Sequence, residues 1–93
     1  MNENQFQTNS LRNVAGVRKT ATVLRPLNTT GTITAGKSSV SIANVHASAS
    51  GTVNGVILKP TETLNFDAGG ISNTLNAITY NATSSEFLII TIE

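Results

Sequence analysis

The sequence predicts an all-β fold, a small antiparallel β-sandwich of about six to eight short strands. Short runs rich in Thr, Val and Ile alternate with Gly, Asn and Pro turn signals along most of the chain. Ser, Thr and Asn supply 34 of the 93 residues, whereas charged residues are 12%, about half their usual share. Asn54-Gly55 lies between Thr52-Val53 and Val56-Ile57-Leu58, where it favours a two-residue hairpin turn. A jelly-roll-like and an immunoglobulin-like sandwich both fit this pattern.

Residues 1–27 are predicted to form an extended N-terminal arm. The spacing of Leu11, Val14 and Val17 would suit one face of a helix, but Gly16 and Pro26 oppose a helix there. An extended arm can add a strand to the sheet of a neighbouring molecule.

The predicted arm is basic. It holds four basic residues against one acid, a net charge of +3, whereas residues 28–93 carry −2. We expect the arm to dock on another protein through its basic residues: Arg12, Arg18, Lys19 and Arg25.

Residues 28–93 are predicted to form the β-sandwich body. The Asn54-Gly55 hairpin is its centre, and Pro60 suits the tight turn that follows. The alternation of apolar and polar residues slips at Val45, which predicts a strand end or bulge near Asn44. Further strands are expected at Thr29–Thr34, Lys37–Asn44, Thr63–Ala68, Ala77–Ala82 and Glu86–Glu93.

The last predicted strand is apolar on both faces, although a strand of a small sandwich needs only one buried face. One interpretation is self-association, with Phe87 and Ile89 at the contact between copies of the chain. A homo-oligomer is then expected, and a trimer is one option. The alternative is a central strand that is packed on both sides within one chain.

The residue types argue against an enzyme. The chain has no cysteine and one histidine, His46, which is interpreted as a solvent-exposed loop residue because no nucleophile motif surrounds Ser48 or Ser50. The acids are singly placed, without metal-ligand spacing. No catalytic residue, cofactor or metal site is predicted.

Charge and hydropathy also bear on partners and location. Four spread basic residues with Phe6 as the one nearby aromatic are a weak signal for nucleic acid, which is therefore not an expected partner. No apolar run is long enough to cross a bilayer. The start, MNENQFQTNS, lacks the apolar core of a signal peptide, so synthesis in a cytoplasm without secretion by the general route is expected.

Turn and core segments recur from Gly31 to Ile92: GTITAG, SVSIAN, GTVNGVILKP, ETLNFDAGG, AITYNAT and LII. In these segments the chain resembles the small β-rich virion structural proteins of tailed bacteriophages. The pattern expects glycine after Pro60, where this chain has Thr61. These are turn and core residues, so the resemblance carries over no functional residue.

The resemblance implies a virion component that is a head decoration or cementing protein, a head-fibre component or a small tail protein. Its partners would be itself and the major capsid protein or another virion protein. An alternative is a receptor- or carbohydrate-binding tip module, for which Tyr80 is the available aromatic. A third is an internal virion protein that contacts DNA through the arm.

Overall fold

The computed structural model describes residues 20–70 and 72–93, which form β-strands joined by turns and loops. In chain order the strands are β1 (Ala21–Leu24), β2 (Thr30–Ile33), β3 (Ser39–Asn44), β4 (Gly51–Val53), β5 (Val56–Leu58), β6 (Thr63–Asp67), β7 (Ile78–Asn81) and β8 (Phe87–Ile92).

The strands form two four-stranded sheets. The first sheet has the order β1-β8-β3-β6 and the second has the order β2-β7-β4-β5. Every pairing is antiparallel. The predicted all-β class is confirmed, and two such sheets are compatible with a sandwich.

The two sheets share one hydrophobic core. Val40 and Ile42 of β3 lie in the same buried cluster as Val53 of β4 and Leu58 of β5, which belong to the other sheet. The ring of Phe87 lies so close to Gly51 that a Cβ at position 51 would collide with it. A glycine in one sheet therefore makes room for the largest core side chain of the other.

Local sequence signals place the central hairpin. Asn54 and Gly55 have φ of 49° and 80°, and a type I′ turn requires positive φ at both positions. They join β4 to β5, which confirms the predicted reversal. β3 ends at Asn44, where the apolar alternation was expected to slip.

The end of the predicted arm belongs to the body. Ala21–Leu24 forms β1, which pairs with β8 of the same chain rather than with a neighbour. Leu27 continues this contact through an isolated bridge to Glu86. The sheet therefore begins before the predicted boundary at residue 28, and residues 1–19 of the arm lie outside the described residues.

Candidate assembly surface

The two faces of β8 have different environments. Phe87 and Ile89 are 0% exposed and belong to the core. Leu88 and Ile92 on the opposite face are half-buried, and Ile90 is 38% exposed. The expected contact through Phe87 and Ile89 is therefore corrected, because contact with another copy through them would require opening the core.

The outer face of the first sheet carries an apolar patch, which we call the β1/β8 patch. Its residues are paired across the two strands, with Val23 opposite Ile90 and Ala21 opposite Ile92. Leu88 completes it. Val23 is 59% exposed. The patch is accessible because no other part of the described chain covers it.

The other half of the same face is polar. Ser41 of β3 lies opposite Ile90, and Asn65 of β6 lies opposite Ser41. Asp67 and Thr63 occupy the rest of the β6 row and are exposed. The face is thus apolar on β1 and β8 and polar on β6, which gives a potential contact surface a defined boundary.

Ion pairs lie at both ends of β8. Arg25 Nη2 lies 3.0 Å from Glu86 Oε2, just before the strand begins. Lys37 Nζ lies 2.9 Å from Glu93 Oε2, just after it ends. Of the predicted docking residues, Arg25 is therefore placed at the border of the β1/β8 patch.

The other predicted docking residues, Arg12, Arg18 and Lys19, lie outside the described residues. Their part in docking stays a prediction.

A buried polar cluster lies around Asn44, the last residue of β3. Asn44 Nδ2 donates to the carbonyl oxygens of Ala49 and Leu58, at 2.9 Å each. Asn44 Oδ1 accepts from the backbone N–H of His46 at 2.9 Å and lies 3.2 Å from Ser85 Oγ. Asn44 and Ser85 are both buried. Sequence reasoning missed this cluster, which is satisfied internally and has a structural role.

His46 was expected to be solvent-exposed, but it is half-buried. Its Nδ1 accepts backbone N–H groups from Ser48 at 3.1 Å and from Ala49 at 2.9 Å. Because these donors occupy Nδ1, a carboxylate cannot orient the ring through that atom. His46 therefore fixes its loop in this structure. Within residues 20–70 and 72–93, no group of three His, Asp or Glu side chains could hold a metal ion.

A shallow groove of about 440 Å³ lies on the second sheet, with Ile57 and Lys59 on one side. The remaining lining is small and polar: Ser50, Gly51, Thr52, Asn81 and Thr83. Tyr80 is not part of it. This residue packs against the core, with its ring centre 6.5 Å from that of Phe87.

The comparisons with known proteins find no match among protein-family models, curated proteins or solved structures. The resemblance to small virion proteins therefore stays a prediction. Among the described residues, no helix is long and apolar enough to cross a membrane.

Proposed function

We propose that this chain is a non-enzymatic structural protein of a bacteriophage virion, a capsid decoration or cementing protein or a head-fibre component. The observation that carries the proposal is the β1/β8 patch. Val23 and Ile90 are exposed there on an antiparallel strand pair bordered by polar residues. Contiguous exposed apolar surface of this kind is typical of protein contacts.

The proposed sandwich type is a jelly roll, and the strand order supports it. The first and last strands, β1 and β8, are neighbours in one sheet, and each sheet has four strands. In the immunoglobulin arrangement the first and last strands lie in different sheets. Jelly rolls are common in viral capsid proteins, although lectin domains and cupins share the architecture. This fold type therefore agrees with the proposed function without specifying it.

Docking is proposed to involve the chain N-terminal to β1 together with the β1/β8 patch. The segment before β1 carries Arg12, Arg18 and Lys19. It joins the sheet at Thr20, next to the patch residue Ala21. A basic segment beside an apolar face supplies both long-range attraction and burial against a larger virion partner such as the major capsid protein.

A receptor- or carbohydrate-binding tip module is the second candidate, and the groove on the second sheet favours it. Thr52, Asn81 and Lys59 supply hydrogen-bonding groups there. Sugar sites usually add an aromatic ring for stacking, and Tyr80 packs against the core instead. Specific binding on a glycan array would favour this alternative over the assembly proposal.

The assembly proposal is tested by co-sedimentation with phage particles that lack this chain. The purified full chain is expected to pellet with the particles and to saturate. The matched control is the chain 20–93, which keeps β1 and the patch but lacks the segment before them, and it is expected to bind more weakly. A full chain that stays in the supernatant at every concentration would contradict the proposal.

A further inference from the structure

We propose that two copies of this chain join edge to edge through β1, antiparallel and across a two-fold axis at Val23. The first sheets of the two copies then form one eight-stranded sheet. The inference rests on the proposed virion role, for which the sequence predicts self-association, and names the strand and the partner.

The hydrogen-bond register of β1 shows which backbone groups face β8. Thr20 O accepts the N–H of Glu93 at 3.1 Å, and Pro26 O accepts the N–H of Phe87 at 3.0 Å. In an antiparallel pair, residues alternate between facing their partner strand and facing away. The even-numbered residues from Thr20 to Pro26 therefore face β8.

The odd-numbered residues consequently direct their N–H and C=O groups away from β8. They are Ala21, Val23 and Arg25, and none is a proline. β1 is an edge strand with no strand on its other side in the described chain. Three residues thus present a regular set of donors and acceptors to an incoming strand.

β1 also lacks the features that usually protect an edge. Proteins block edge strands with charged residues, proline or short length. β6 has Asp67, and β5 is three residues long. Ala21–Leu24 contains neither charge nor proline, and all four side chains are exposed. Pro26 follows soon after β1, but it faces β8, so the N–H that it lacks is not on the free edge.

The outward-facing groups of β1 are self-complementary. When Val23 lies opposite Val23 of a second copy, Ala21 lies opposite Arg25 of that copy. By symmetry, Arg25 lies opposite Ala21 of that copy. Three hydrogen-bonded pairs give about six hydrogen bonds. Because the same strand serves both copies, the contact closes as a two-fold dimer.

Side-chain placement supports the same partner. Val23 and Ile90 are paired on the outer face. Pairing at β1 therefore brings two β1/β8 patches together at the centre of the eight-stranded sheet, with Val23 beside its symmetry mate. The polar β6 strands lie at the two far edges, where Asp67 opposes further addition.

Proline substitution separates the dimer contact from the fold. Val23→Pro removes an N–H that faces away from β8, so the ladder within the chain is preserved, whereas Thr22→Pro removes an N–H that faces β8. Sedimentation equilibrium of the full chain is expected to give a dimer. Val23→Pro is expected to raise the dimer dissociation constant at least about tenfold with little change in unfolding midpoint. Thr22→Pro is expected to lower that midpoint.

A cysteine pair tests the register independently, because the native chain has no cysteine. Val23→Cys places two sulfurs on the proposed axis, where the Cα atoms are about 5.5 Å apart. Ala21→Cys is the control on the same strand and face. Its two Cα atoms would be about 14 Å apart along the strand, too far for a disulfide. Mild oxidation is expected to cross-link the first variant much faster than the second.

The edge contact is overturned if the wild-type chain is a monomer at high micromolar concentration, if Val23→Pro dimerises as well as wild type, or if both cysteine variants cross-link equally. These outcomes differ from a failure of the proposed function. A monomer that still saturates phage particles would reject the edge contact alone, whereas a dimer that binds no particle would reject the virion role alone.

Discussion

At the scale of single residues, neighbouring isoleucines of β8 have opposite surroundings. Ile89 is fully buried in the core, whereas Ile90 is exposed in the β1/β8 patch opposite Val23. β8 is almost entirely apolar, so its sequence alone does not show which face is buried. The alternation of Val40 and Ile42 on β3, which pairs with β8, supplies the missing signal once the pairing is known.

Ile90→Asp is expected to weaken binding to phage particles while the chain stays folded, because Ile90 is exposed in the β1/β8 patch. Ile89→Asp places a carboxylate in the core and is expected to destabilise the fold by more than about 3 kcal/mol. Co-sedimentation with particles and urea unfolding followed by circular dichroism separate the two effects. If both substitutions lowered the unfolding free energy equally, the assignment of the two faces would be contradicted.

The buried amide of Asn44 gives a second prediction at this scale. Asn44→Ala removes the side-chain donor to the carbonyl oxygens of Ala49 and Leu58 and the acceptor of the His46 N–H, and it is expected to cost about 2–4 kcal/mol of unfolding free energy. Asn65→Ala, at an exposed position of β6, is the control and is expected to change it by less than about 0.5 kcal/mol. Similar urea midpoints for the two variants would rule out a structural role for the cluster.

At the scale of elements, local signals identified most strands, and nonlocal pairing accounts for what was missed. Asn54-Gly55 specifies its hairpin through φ preferences that belong to two adjacent residues. β1 has no comparable signal, because its four side chains are exposed and its partner β8 lies at the other end of the chain. Its extended conformation was predicted, whereas its place in the sheet depends on a contact that a local pattern does not encode.

The connection from β5 to β6 is a strained turn. Glu62 N–H donates to Lys59 O at 3.0 Å, and Thr61 has a φ of 72° at the position where a type II turn favours glycine. This is the position where the phage-like pattern expects glycine.

Thr61→Gly is expected to raise the unfolding free energy by about 1 kcal/mol, since a β-branched residue is strained at positive φ. The variant retains the backbone N–H of residue 61, which donates to Asn44 O at 3.0 Å. Urea unfolding measures this change. Thr63→Gly is the control, because Thr63 lies in β6, where glycine is unfavourable. A lower midpoint for Thr61→Gly would contradict the assigned strain.

At the scale of the whole molecule, the order of the two sheets brings the ends of the described chain together. β1 and β8 are neighbours. Deleting residues 1–27 would therefore remove a strand of the first sheet as well as the predicted arm. The chain 20–93 retains every described strand.

The chain 20–93 is expected to unfold at a urea midpoint close to that of the full chain, because all core residues are retained. The chain 28–93 is the comparison and is expected to be less stable, since its β8 edge is uncovered. Equal midpoints for 28–93 and 20–93 would show that β1 contributes nothing to the stability of the sheet.

The measurement that tests the central claim most directly is the number of copies of this chain per particle, by quantitative mass spectrometry of purified virions from the phage that encodes it. A decoration or cementing role predicts on the order of hundreds of copies, in a ratio to the major capsid protein set by capsid symmetry. A few to a few dozen would indicate a fibre, neck or tail position. Absence of the chain from purified virions would contradict the virion proposal.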